Sequence, residues 1–275
     1  MKRLSVVLAL LISFSAGTAY AGGVSVADSK ILDRWTLRVG GYLTGLSTDL
    51  RLDNPITGEE GTSISLEDDL GFSSSESVPR LNLGLILGKR HLLRVGWYKT
   101  ERESTTTITE EIEWGDETFP INVDIGAFYN TEFLNFAYTY YFYSSEKTAL
   151  GITGGLVLAN LGSGVGIKLG GLDFDREDDI STEIPVPQLG FSVATYLGKK
   201  FVFSATLGYI AFNLDDWEGS VATAIVSVEH RTWKNFGFGA GYSFADYDVD
   251  LLEANLLGNF QYEISGFELY LRAAW

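Results

Sequence analysis

The chain has no cysteine. Disulfides, a thiolate metal site and a thiol nucleophile are therefore excluded. Histidine occurs twice, as His91 and His230, so imidazole chemistry is confined to two places. Proline is scarce at 5 of 275 residues. Basic residues are outnumbered, 20 against 36 acidic, and the net charge is −16. This balance argues against a nucleic-acid partner, because phosphate binding needs clustered Lys and Arg. No segment after the first 21 residues has 18 uninterrupted apolar residues, which excludes a membrane-spanning helix there. The first 21 residues read as a secretory signal. Lys2 and Arg3 precede an apolar Leu4 to Phe14, and Ala19-Tyr20-Ala21 supplies small residues for cleavage before Gly22. That apolar run is shorter than the ~20 residues a spanning helix needs.

What is abundant is glycine (31) and aromatics (14 Tyr, 17 Phe, 6 Trp) in alternating patterns. The last stretch, Ser265 to Trp275, has Phe267, Leu269, Leu271, Ala273 and Trp275 on one strand face. Gly266, Glu268, Tyr270, Arg272 and Ala274 fall on the other. The same alternation recurs along the chain. It predicts strands over about Arg34–Leu46, Ser77–Gly88, Leu93 towards Glu113, Phe119–Tyr143, Thr148–Leu161, Ile184–Leu197, Phe203–Tyr209, Val221–Glu229, Phe236–Phe244 and the final stretch. Long polar segments at Ser47–Glu76, Gly162–Glu183 and Tyr247–Gly258 read as loops on one side, and tight turns at 88–90, 143–147, 198–200 and 230–235 as connections on the other. In the fourth strand the apolar parity passes from Val123, Ile125 and Ala127 to Leu134, Phe136 and Tyr138. That slip predicts a β-bulge near Asn130.

The final strand, ending on an aromatic, resembles the terminal strand of Gram-negative outer-membrane β-barrels. In those proteins such a strand is read by the barrel-assembly machinery, so Phe267, Leu269, Leu271 and Trp275 are the corresponding assembly signal. The expectation is an all-β, transmembrane, antiparallel up-and-down β-barrel of about ten strands, with short periplasmic turns and long extracellular loops. It occupies residues 34–275, after a periplasmic tail at 22–33, in the outer membrane of a Gram-negative bacterium. The expected partners are outer-membrane lipid and lipopolysaccharide, the state a monomer. A soluble β-sandwich would share the alternation; the signal, the loop asymmetry and the terminal aromatic favour the barrel.

Function is less legible. The inward faces carry Arg38, Tyr42, Arg80, Arg94, Tyr98, Glu268, Tyr270 and Arg272 on one half of the wall, and mostly Gly, Ser, Thr and Ala on the other, with Glu229 among the lumen-lining candidates there. Two arrangements follow: a packed interior with the carboxylates paired to arginines, or a narrow off-centre basic channel. The first expectation is a channel or small-solute pathway. The alternative is a non-conducting structural or surface-binding barrel, and the third an outer-membrane hydrolase. The size resembles that of ten-stranded omptin-type proteases, and other small barrels are lipid A acylases, deacylases or phospholipases. Those enzymes generally hold a His near the outer rim, where hydrolysis needs a base titrating near neutrality. His91 and His230 fall in short-turn positions instead, so no enzyme is expected. No cofactor is expected either, beyond Ca²⁺ or Mg²⁺ at acidic loops, with Asp173, Asp175, Asp178 and Asp179 as oxygen donors. The segment Ile64-Ser65-Leu66-Glu67-Asp68-Asp69-Leu70-Gly71-Phe72 resembles one found between the first two strands of a group of uncharacterised Gram-negative barrels. Being apolar and acidic, it is a candidate short lid or plug.

Overall fold

The computed structural model describes residues 31–275, apart from 55, 108, 110, 115–116, 123, 168–179, 215 and 254–255. Ten long strands form the wall: β1 (Trp35–Asp53), β3 (Ser75–Leu87), β4 (His91–Thr107), β7 (Asp124–Ser144), β8 (Thr148–Ile167), β9 (Ile180–Leu197), β10 (Phe201–Leu214), β11 (Trp217–His230), β12 (Phe236–Glu253) and β13 (Leu256–Ala274). Three short ones complete the set: β2 (Ile64–Ser65), which pairs with β1, and a separate hairpin of β5 (Ile112–Trp114) and β6 (Glu117–Phe119). Each wall strand is antiparallel to the next, and β13 returns to β1 from Thr36↔Ala274 to Asp53↔Leu257. Trp35 and Trp275 exchange backbone hydrogen bonds at 2.9 and 3.2 Å, locking the seam at the short-turn end. Closure removes the unpaired sheet edges that lipid cannot satisfy.

The short turns are glycine-dependent in two places. Gly88 and Gly198 have φ of 59° and 74°, the left-handed region that a side chain disfavours. Above them runs the apolar belt. Val39, Leu43, Leu83, Leu93, Phe136, Phe191, Leu207, Phe238 and Leu269 all lie exposed on the outer face. Phe267 and Leu271 are 65 % and 71 % exposed, as the outward apolar band of a transmembrane barrel requires.

The strands outrun the belt. β7 has 21 residues, roughly 69 Å of strand, or about 50 Å of height at a ~40° tilt, against a belt about 25 Å tall. The upper half of the wall thus stands in water as a collar, and there the sequence pattern inverts. Outward positions become polar (Ser47, Asp49, Arg51; Asp246, Asp248, Asp250), and inward ones become apolar (Leu46, Leu50; Tyr247, Val249, Leu251).

That inversion corrects several sequence-based expectations. Residues 47–53 and most of 247–258 are strand rather than loop. β4 ends at Thr107, and the residues towards Glu113 belong to the separate hairpin. Ile125 and Ala127 face the interior, where they are buried, so there is no change of parity at Asn130. Asn130 pairs in register with Glu101 and Gly162. The one register shift in β7 lies between Tyr141 and Tyr143, beside the short turn. Below it Tyr143 is exposed and Ser144 buried.

Candidate functional site

The interior is the natural place for a site, and it is built in three levels. The floor is a small apolar cluster around Ile31, with Ile86, Leu92, Tyr141, Ala149, Ala194 and Val202 drawn from six wall strands. Ile31, the first of the described residues, lies inside the barrel ahead of β1. Asp33 follows it and ion-pairs with Arg272 and, at 3.3 Å, with Arg231.

The middle level is ionic. Arg38 of β1 reaches Glu229 of β11 at 2.9 Å. Glu229 also accepts from Arg272 Nε at 2.9 Å and lies 3.5 Å from Arg231. Arg80 of β3 lies 3.3 Å from Glu268 of β13 and donates to the Ser243 hydroxyl of β12 at 3.2 Å. Tyr42 donates to the Ser243 carbonyl at 3.2 Å. Arg38 and Arg80 also sit over the rings of Tyr270 and Tyr42, 5.1 and 5.0 Å from the centroids. The bonds between non-neighbouring strands cross the lumen. Tyr270 lies against Gly239, where a Cβ would stand 2.3 Å from its Cζ, so a bulky side chain on one wall is seated on a glycine on the next. On the small-residue half, four hydroxyls bond in series round the wall: Thr139 to Thr153 at 2.7 Å, Thr153 to Ser192 at 2.7 Å and Ser192 to Thr206 at 2.9 Å.

The upper level is aromatic. Phe133 of β7 stacks on Tyr98 of β4 at 4.8 Å between centroids. It also meets Tyr262 of β13 at 5.6 Å and Tyr247 of β12 at 5.8 Å, on the far wall. Leu46, Leu50, Val157, Ile184, Val186, Val249 and Phe260 pack around them. These ring contacts join the two walls across the lumen at this level.

Residues 62–73 seal one side of this level. β3 begins only at Ser75, so above it β1 and β4 have no wall strand between them. β2 pairs with β1 through Asp49↔Ser65 and Leu50↔Ile64. On the other flank the Ser104 hydroxyl of β4 donates to the Leu70 carbonyl. Ile64, Leu66, Leu70 and Phe72 turn into the upper core. The expected lid is thus a wall patch with an apolar inner face. Its latch is an ion pair between Arg102 and Glu67, whose side chains are 1 % and 9 % exposed. Arg102 also donates to Thr48 Oγ1 at 2.7 Å and to the Ser73 carbonyl at 3.3 Å. Glu67 accepts from the Thr48 N–H at 2.8 Å and its hydroxyl at 3.2 Å. Sequence reading missed Arg102, because in the pattern it is one more charged residue on a polar strand.

All nine lumen candidates face the interior together. Tyr42, Tyr98, Tyr270, Glu229 and Arg272 are buried, while Arg38, Arg80, Arg94 and Glu268 retain some accessibility to internal space. Asp173, Asp175, Asp178 and Asp179 lie outside the described residues, as do residues 1–30. Among the described residues no group of three or more acidic or imidazole side chains is gathered to hold a metal. His91 and His230 stand at the short-turn ends of β4 and β11, bonded to Tyr138 Oη at 2.6 Å and Thr232 Oγ1 at 3.0 Å. Neither reaches the collar. On the collar's outer side a cleft of about 420 Å³ is lined by Phe212, Asn213, Glu218, Asp248 and Asp250.

Comparison of the sequence with protein-family models and with curated proteins returns no match. Solved structures do match. The outer-membrane protease OmpT of Escherichia coli aligns over 88 % of this chain and 96 % of its own, with a TM-score of 0.57 and 8 % identity. The translocator domain of the autotransporter NalP of Neisseria meningitidis aligns over 87 % and 89 %, with 0.49 and 14 %. The toluene transporter TodX of Pseudomonas putida aligns over 89 % and 91 %, with 0.35 and 10 %. At such identities the likeness is one of fold. The chain has the fold of a Gram-negative outer-membrane β-barrel, with the outward apolar belt that such a barrel turns to lipid.

Proposed function

We propose that this barrel is a closed outer-membrane scaffold that does not conduct and that carries its binding surfaces on the collar and loops. The supporting observation is the contact of Phe133 with Tyr247 and Tyr262 across the lumen. A barrel of about eight strands is just filled by side chains, and ten strands lie near that limit. Planar-bilayer recording of the folded protein tests this: a flat baseline is expected, and steady unitary currents overturn it. The collar's outer wall, with Glu218, Asp246, Asp248 and Asp250, is the surface that faces lipopolysaccharide head groups and external partners. The outward Phe267, Leu269, Leu271 and Trp275 serve assembly, and the barrel works as a monomer in lipid.

A second reading, a narrow small-solute pathway, draws on one observation. Arg38 is 27 % exposed, and Ile225, on the inner face between Thr206 and Ser243, is 38 % exposed, so the middle of the lumen has internal space. Conduction would need the aromatic level above it to part. A hydrolase draws no support from the collar, where histidine is absent.

A further inference from the structure

The middle of the lumen has more positive than negative charge. Five guanidinium groups, Arg38, Arg80, Arg94, Arg231 and Arg272, meet three carboxylates, Asp33, Glu229 and Glu268. Four of the five are ion-paired to those carboxylates. Arg94 is paired with no carboxylate among the described residues. Its one hydrogen bond is from Nη2 to Thr139 Oγ1, at a long 3.4 Å, and its Nε is buried with no partner. An uncompensated guanidinium inside a lipid-enclosed barrel is costly, since water cannot replace the missing charge. Arginine does not escape the cost by losing its proton.

The surroundings offer no acceptor of matching charge. The Thr139 hydroxyl accepts from Arg94 and begins the series through Thr153 and Ser192 to Thr206. The orientation in which every hydroxyl both accepts and donates sends their protons away from Arg94. The guanidinium thus keeps free donors facing the accessible mid-lumen, beside the cationic Arg38.

We propose that the mid-lumen holds one small inorganic anion, bound by the Arg94 guanidinium and offsetting one or both of the two excess positive charges of the arginine layer. Halide or a compact oxyanion has the required chemistry. The site exists whether or not the barrel conducts, so its test is separate from bilayer recording.

The protein is refolded from urea into detergent at constant ionic strength, with gluconate as the only anion or with chloride, bromide or phosphate replacing it. Because refolding assembles the lumen around the ion, access through the closed wall does not limit the result. Above its dissociation constant, each tenfold rise in free anion should raise the folded-to-unfolded ratio about tenfold. Arg94→Met should lose that dependence, while Arg51→Met, on the collar, should keep it. Crystals of the wild type grown with bromide should give an anomalous peak beside the Arg94 guanidinium, which decides the matter if the Arg94 variant does not fold. The proposal is overturned by a wild type indifferent to the anion, by an Arg94→Met variant with the same dependence, or by bromide on the exposed rim only, an adventitious ion.

Discussion

Replacing Arg102 by methionine should unlatch the wall patch at residues 62–73. The pair it forms with Glu67 is almost fully out of water. Removing one partner of such a pair strands the other charge and costs about 3–5 kcal/mol. Two Thr48 donors stay with Glu67, at 2.8 and 3.2 Å, which puts the expected loss at the lower end, about 3 kcal/mol. Glu67→Gln keeps an acceptor oxygen for Arg102 but leaves that charge uncompensated and turns an NH2 group towards the Thr48 N–H, so its cost should also be about 3 kcal/mol. Combining Arg102→Met with Glu67→Leu removes both charges and fills the space with apolar atoms. The lasting damage is then the orphaned Thr48 N–H and hydroxyl, about 2 kcal/mol together. The double variant should therefore be more stable than Arg102→Met alone, with a coupling of about 2 kcal/mol or more. Equilibrium urea unfolding in lipid vesicles measures the cycle. Hydrogen exchange at Ile64 to Phe72 tells local opening from global loss. An Arg102→Met variant within about 0.5 kcal/mol of wild type would refute the reasoning, and so would a double variant no better than the worse single.

Gly239→Val places a Cβ about where the Tyr270 ring lies, 2.3 Å from Cζ. It should destabilise the barrel by roughly 1–3 kcal/mol or more, read as a lower unfolding midpoint and loss of the compact species on unheated gels; a wild-type midpoint would sink the seating argument. Leu271→Arg, on the lipid face, should cost up to ~2–4 kcal/mol near the bilayer midplane, whereas Asp248→Arg on the collar should be close to neutral. Equal penalties in vesicles would mean that the belt is misplaced. Asp49, above the belt, has its carboxyl pushed up by burial first and then by Glu67, Asp69 and Asp68. Its folded form holds the proton more tightly than the unfolded one, so its contribution is full below the ordinary carboxylate range and declines as pH rises through the raised value. The urea midpoint should thus gain from acidification between neutrality and that range, and Asp49→Asn should reduce the slope; an unchanged slope would argue against the shift.

How much of this was readable in the sequence depended on which solvent each strand segment meets. In the belt, lipid outside and polar lumen inside give one unambiguous alternation, and Leu81, Leu83, Phe238, Leu269 and Trp275 could be assigned from it. Above the belt the outside is water, so the same rule of burying apolar side chains selects the opposite face. Thr48, Leu50 and Leu52 alternate with Ser47, Asp49 and Arg51 as regularly as any belt strand. They resemble a polar loop only if apolar is equated with outward. The supposed bulge at Asn130 arose from that equation applied to Ile125 and Ala127, two inward residues of the collar. The real irregularity, beside Phe142, left little trace because Tyr140 to Tyr143 is aromatic on both faces. The arginines and glutamates of the lumen were legible as a set, since each sits opposite a belt residue. Their connections were not. Arg38 to Glu229 spans 191 residues and Arg272 to Asp33 spans 239, and no local pattern encodes a partner at that distance. The same holds for Arg94: its place on an inward face is local information, whereas its lack of a carboxylate emerges only once all ten staves have been brought round the same space.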